Sequence, residues 1–204
     1  MTNTLLLTSL SVVAMVLTIV MYIVPFRAAR EILLARTPLV YSAFPFAAIT
    51  VNCLLWTAYG VVSDTLWIVV CNVIGTLSGC YSLAAYGIYG HGPAYYRAVG
   101  FAFLGLVASF LLLYKERNEE HFLSHLRIIA NAATCVMYAA PLTAIQGVLA
   151  TSSAEHIPIT QVFTNTLCAA AWMLNGLASA DGYLLVPHAG VTFRPRADVA
   201  LCEM

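Results

Sequence analysis

Charge is what this 204-residue chain has least of, with nine Lys and Arg, nine Asp and Glu, and 9% charged residues in all. A soluble domain carries about 25%, so a water-facing surface cannot be coated. With 61% apolar residues and a mean hydropathy of +0.87, lipid is the expected solvent. The two signs cancel to a formal net charge of zero, which leaves no basic field for a nucleic acid backbone. The single lysine, Lys115, stands in a polar stretch, so no mid-membrane Schiff base is available for retinal chemistry. The chain also lacks any Cys-x-x-Cys pair and any Asn-x-Ser/Thr acceptor. Its first five cysteines lie inside apolar runs, where a thiol acts as a small hydrophobe, so neither a disulfide framework nor a metal cluster is expected. His121 and His125 stand beside Glu119 and Glu120 without forming a His-Glu-x-x-His zinc pattern, in what reads as a polar loop. No nucleophile has a base at a telling spacing, and no enzyme activity or cofactor is expected.

Apolar length is what the chain does have. Cutting at every charge leaves uncharged windows at 1–26, 37–63, 65–96, 98–114, 128–154, 156–180 and 182–193. A bilayer core takes roughly 20 helical residues; six windows suffice, and 182–193 is too short to span. The fold class is therefore all-α integral membrane, with seven helices and a short last one. No Lys or Arg precedes the stretch from Leu5 to Phe26, so it reads as a retained first span instead of a cleaved signal. Ser63-Asp64 and Ser179-Ala180-Asp181-Gly182 leave room only for tight turns. An N-terminus outside puts Arg27, Arg30, Arg36, Arg97, Arg194 and Arg196 in the cytosol against Lys115, Arg117 and Arg127 outside, the favoured sense.

The chain repeats itself. Met21-Tyr22-Ile23-Val24-Pro25 returns 116 residues later as Met137-Tyr138-Ala139-Ala140-Pro141. Trp56 and Trp172, Gly60 and Gly176, and Asn72 and His188 keep the same offset, while Gly75 and Gly190 fall one short of it. This divides the chain into a three-helix repeat at 1–89, a linker helix with flanking loops at 90–127, a second three-helix repeat at 128–193 and a short cytosolic tail at 194–204. An odd linker helix returns the second repeat in the same orientation as the first. Parallel repeats with a site between them near the midplane are a transporter plan.

Each repeat has a proline deep in its first span (Pro25, Pro141) and another at the start of its second (Pro45, Pro158), four expected hinges. Trp56 and Trp172, with Asn72 and His188 sixteen residues further on, suit a neutral polyhydroxylated ligand: the amide bonds hydroxyls while the indole stacks on C–H faces. No charge lies within the six long spans, so transport is expected to be uncoupled. Asp64 and Asp181 end the second spans as turn residues or as an outer latch.

Asn52-Cys53-Leu54-Leu55-Trp56-Thr57-Ala58-Tyr59-Gly60, Cys71-Asn72-Val73-Ile74-Gly75, Met137-Tyr138-Ala139-Ala140-Pro141-Leu142, Ser153-Ala154-Glu155-His156-Ile157-Pro158 and Val186-Pro187-His188-Ala189-Gly190 resemble the SWEET (MtN-saliva type) sugar transporters. The resemblance covers residues 5 to about 191. It implies seven helices in a three-plus-one-plus-three arrangement, bidirectional facilitated diffusion of mono- or disaccharides such as glucose or sucrose, and homo-oligomers in a plasma membrane or endomembrane. It also implies that the four prolines are a hinge tetrad, that Asn72, Trp56 and Trp172 line the pocket, that Asn52 and Cys168 help set substrate size, and that Tyr59 and Asp181 form an outer gate. Two departures stand out. His188 occupies the place of the second pocket asparagine and adds a titratable group. Thr192-Phe193-Arg194-Pro195-Arg196 stands where relatives continue the seventh helix, which opens a competing reading: a non-transporting subunit that regulates oligomers of full-length relatives.

Overall fold

The computed structural model describes residues 2–39, 41–114, 116, 118–140 and 159–179. They form six helices: α1 (Thr2–Ala35), α2 (Ala43–Val62), α3 (Leu66–Tyr89), α4 (Pro93–Tyr114), α5 (Glu119–Ala139) and α6 (Ile159–Ser179). By length and composition α1 to α4 are each able to cross a membrane. The seventh helix expected at 182–193 lies outside the described residues.

Helix ends follow local chemistry. Ser42 caps α2 by accepting from the Phe44 N–H, and Asn118 caps α5 by accepting from the His121 N–H. The α2–α3 connection is only residues 63–65, and Asp64 takes a positive φ of 51° there, the tight turn expected from Ser63-Asp64. Three helices extend beyond their uncharged windows, α4 by starting at Pro93 ahead of Arg97. α1 continues past residue 26 to Ala35, because Ala28, Ala29 and Ile32 bury one face while Arg27, Arg30 and Glu31 stay exposed on the other. α5 begins at Glu119, with Glu119 and Glu120 in its first turn, where the helix dipole favours acids. His121 and His125 therefore sit on a helix and not in a loop.

Packing brings the two ends of the sequence together. α3 packs against both α1 and α2, and α4 lies against α2. Across the proposed halves, α1 packs on α6 and α2 on α5. One buried cluster joins them: Met21, Tyr22, Ala48, Ile49 and Cys53 with Met137, Ala140 and Cys168. α3 fits so closely because its inner face is small. A Cβ added at Gly75 would stand 2.4 Å from Cys53 Sγ, and one at Gly79 2.4 Å from Thr50 Oγ1. Small residues at such crossings let backbones approach where burial from water offers no drive. Large side chains such as Val13 and Val16 of α1 and Phe103, Leu104 and Leu112 of α4 are instead exposed, as lipid-facing surfaces require.

Candidate functional site

A cavity of about 110 Å³ lies among α1, α2, α3, α5 and α6. One water needs roughly 10–15 Å³ by such a measure, so the space admits several waters or part of a small solute. Ten of its fifteen lining side chains are five pairs at the 116-residue offset: Thr18 and Thr134, Met21 and Met137, Tyr22 and Tyr138, Asn52 and Cys168, Trp56 and Trp172. Much of the described wall is thus built twice over from matching positions, and Asn72, Cys71, Ile68 and Trp67 of α3 and Met15 of α1 are its other described members. None of the described lining residues is Asp, Glu, Lys or Arg.

Polar groups in this apolar wall are held in place. Asn72, 8% exposed, donates from Nδ2 to the Ile68 carbonyl at 2.9 Å and accepts at Oδ1 from the Tyr22 hydroxyl at 3.3 Å. An amide has two hydrogens and two lone pairs, so each end keeps one further bond to offer. Asn52, 2% exposed, accepts from Thr134 Oγ1 at 2.8 Å. Its counterpart Cys168 is as deeply buried and meets Thr18 Oγ1 at 3.3 Å and the Tyr138 hydroxyl at 3.8 Å. The two indole N–H groups are each bonded to a threonine at 2.9 Å. Such an arrangement suits an uncharged solute, met by hydroxyl contacts and ring surface, and its described lining holds no carboxylate or histidine to carry a proton or ion.

The structure gathers Asn52, Asn72, Trp56, Trp172 and Cys168 around this one space. Tyr59 stands beside it, edge-on to Trp56 at 5.4 Å between centroids. Pro25 is buried in the middle of α1, where its missing N–H interrupts the helix ladder. Pro45 falls in the first turn of α2, where no intrahelical partner is lost. Pro141, Pro158, Asp181 and His188 lie outside the described residues. The five described cysteines are free thiols.

Residues 8–94 and 124–193 match the family described as sugar efflux transporter for intercellular exchange. The chain belongs to this family. Among relatives of this sugar efflux transporter family, it is 26% identical over 151 residues to a sugar transporter SWEET1 of Drosophila pseudoobscura pseudoobscura, covering 72% of this chain and 66% of that protein. It is 27% identical over 161 residues to a bidirectional sugar transporter SWEET3 of Arabidopsis thaliana, covering 72% and 60%. The chain therefore spans somewhat less than two thirds of the length of these relatives. A solved structure of a eukaryotic SWEET transporter shares the fold with a TM-score of 0.69 at 18% identity, over 94% of this chain and 92% of that one. Family and apolar helices together make this a multi-pass integral membrane protein.

Sequence reasoning missed four polar members of the cavity wall: Thr18, Thr134, Tyr22 and Tyr138. The tyrosines stood in the repeated Met-Tyr segment and the threonines at the same offset, so extending the repeat register to every polar residue would have found all four.

Proposed function

We propose that this chain carries mono- or disaccharides across a membrane by uncoupled, bidirectional diffusion, the two three-helix repeats at 1–89 and 128–193 rocking about the linker helix region at 90–127. The observation that carries the reading is the cavity, without a charged side chain among its described lining, walled by three tryptophans and two asparagines and with five pairs of lining residues drawn from matching positions of the two halves. A neutral sugar needs ring surface and amide contacts, and an ion-coupled carrier would need a carboxylate at that depth. The relatives named as sugar transporters support the substrate class. Asn72, His188, Trp56, Trp172, Asn52 and Cys168 take the sugar, Pro25, Pro45, Pro141 and Pro158 hinge the motion, and Tyr59 with Asp181 closes the outer side. The N-terminus faces outside, and homo-oligomers form in the plasma membrane or an endomembrane.

The test is uptake of radiolabelled glucose and sucrose into proteoliposomes holding only this chain, with Asn72→Ala as control. Gradient-driven uptake lost in the variant is expected. A well-folded preparation that takes up neither sugar would overturn the reading in favour of the regulatory-subunit alternative.

A further inference from the structure

Two of the three tryptophans that line the cavity, Trp56 and Trp172, are each held by the opposite half of the chain. Trp56 on α2 donates its indole N–H to Thr134 on α5, and Trp172 on α6 donates to Thr18 on α1, both at 2.9 Å. The two donors are 116 residues apart and so are the two acceptors. Each threonine is anchored in turn on its own helix: Thr18 Oγ1 lies 2.8 Å from the Ala14 carbonyl and Thr134 Oγ1 2.9 Å from the Ala130 carbonyl. That back-bond fixes χ1 of an already stiff β-branched side chain and leaves a lone pair for the indole.

We propose that Thr18 and Thr134 are positioning residues, each fixing the ring of the opposing half's tryptophan so that the cavity wall is preorganised for its ligand. The proposal rests on the sugar-transport reading for the identity of that ligand. With the N–H edge tied, the ring cannot swing into the space it lines, and a sugar does not have to order it on binding. The two sides are unequal. Thr134 also meets the Asn52 amide oxygen at 2.8 Å, whereas Thr18 meets only the Cys168 thiol at 3.3 Å. A hydroxyl has one hydrogen, so Thr134 shares it between the Ala130 carbonyl and the Asn52 amide oxygen, whereas Thr18 gives its own to the Ala14 carbonyl and can accept from the thiol.

The experiment is a double-mutant cycle in the full chain, read by radiolabelled glucose uptake in proteoliposomes. Thr134→Val is expected to raise KM by about threefold to tenfold, the size of one hydrogen bond, with Vmax within about twofold. Thr18→Val acts in the same direction through Trp172, and Thr134→Ser, which keeps the hydroxyl, restores the wild-type KM. Trp56→Phe with Thr134→Val is no worse than Trp56→Phe alone, while Trp172→Phe with Thr134→Val multiplies the single effects. A loss of Vmax with KM unchanged, no rescue by serine, or multiplication within the Trp56 and Thr134 pair would overturn the proposal. The same cycle is run by thermal unfolding in detergent without sugar. Additive melting shifts within the pair overturn the proposal whatever the transport result. Coupled shifts from a wild type that takes up neither glucose nor sucrose support the positioning of the indoles and overturn the transport reading instead.

Discussion

Ser82 Oγ on α3 donates to the carbonyl of Pro25 on α1 at 2.9 Å, and one turn earlier Ser78 Oγ donates to the Tyr22 carbonyl at 2.6 Å. Proline has no N–H to close on the Met21 carbonyl, so the α1 ladder lacks one rung beside the two carbonyls that these hydroxyls reach. Both serines are fully buried. The neighbouring helix thus ties itself to α1 by side-chain hydrogen bonds to the carbonyls of Tyr22 and of Pro25 itself, next to the rung that the proline removes.

Replacing both serines with alanine is therefore expected to lower the thermal midpoint in detergent, with a loss of about 0.5–1.5 kcal/mol for each bond. The measurement is thermal unfolding of S78A, S82A and the double variant. Because the serines lie outside the cavity wall, the KM for glucose should move much less than the melting temperature does. A double variant that melts with the wild type would show that these two bonds do not hold α3 to α1.

Gly75 is held to a bare hydrogen by two neighbours at once. Its Cβ would stand 2.4 Å from Cys53 Sγ and 2.7 Å from the Tyr22 ring. Gly75→Ala should destabilise the fold by about 1–3 kcal/mol through overpacking. Cys53→Ala in the same chain should recover part of the loss by removing the sulfur. Thermal unfolding of the two single variants and the pair checks this, and a pair no more stable than Gly75→Ala alone would point to the Tyr22 ring as the decisive contact.

Tyr41, in the loop between α1 and α2, donates its hydroxyl to the Glu31 carboxylate at the end of α1. Burial, followed by that bond and the carboxylate charge, pushes the Tyr41 phenol up to about 12. A phenol whose folded-state value lies above its unfolded value near 10 stabilises the fold below pH 10 and loses that contribution as pH climbs towards 12. The wild type should lose melting temperature relative to Tyr41→Phe across that interval and not between pH 6 and about 9. Because the pair is half open to solvent, the difference is expected to be small and to shrink with added salt.

His188 shares the repeat register with Asn72, and we propose that it faces the sugar from the second half. A protonated imidazole in a cavity without counter-charge is costly. Glucose uptake should therefore fall as the external pH drops through the imidazole range. The pH profile of the wild type beside that of His188→Asn is the check; a flat wild-type profile, or one that the substitution leaves unchanged, removes the idea.

Much of the molecule is legible in the sequence because lipid imposes simple rules. Uncharged windows of sufficient length become helices, and the turn at Ser63-Asp64 is where the charge cuts predict it. The rule is less exact at the water-facing ends. α1 runs through Arg27, Arg30 and Glu31, and α5 starts at Glu119, because an amphipathic turn in contact with a neighbour stays helical however charged its outer face. At the site, Asn52, Asn72, Trp56, Trp172 and Cys168 were readable from the register and from the family resemblance, while Thr18 and Thr134 were not picked out. A threonine on an apolar helix most often bonds its own backbone, so nothing local marks it as a partner for another helix.

The amino-acid sequence by itself determined the solvent, the helical class and the pairing of positions 116 residues apart, since these follow from composition, window length and spacing along one chain. Only the tertiary structure decided that α1 packs on α6 and α2 on α5, and hence that Trp56 and Trp172 are each tied to the threonine of the other half and not to that of their own. Spacing along a chain fixes which residues are equivalent, whereas hydrogen bonds act over about 3 Å, and that proximity exists only once the helices have packed.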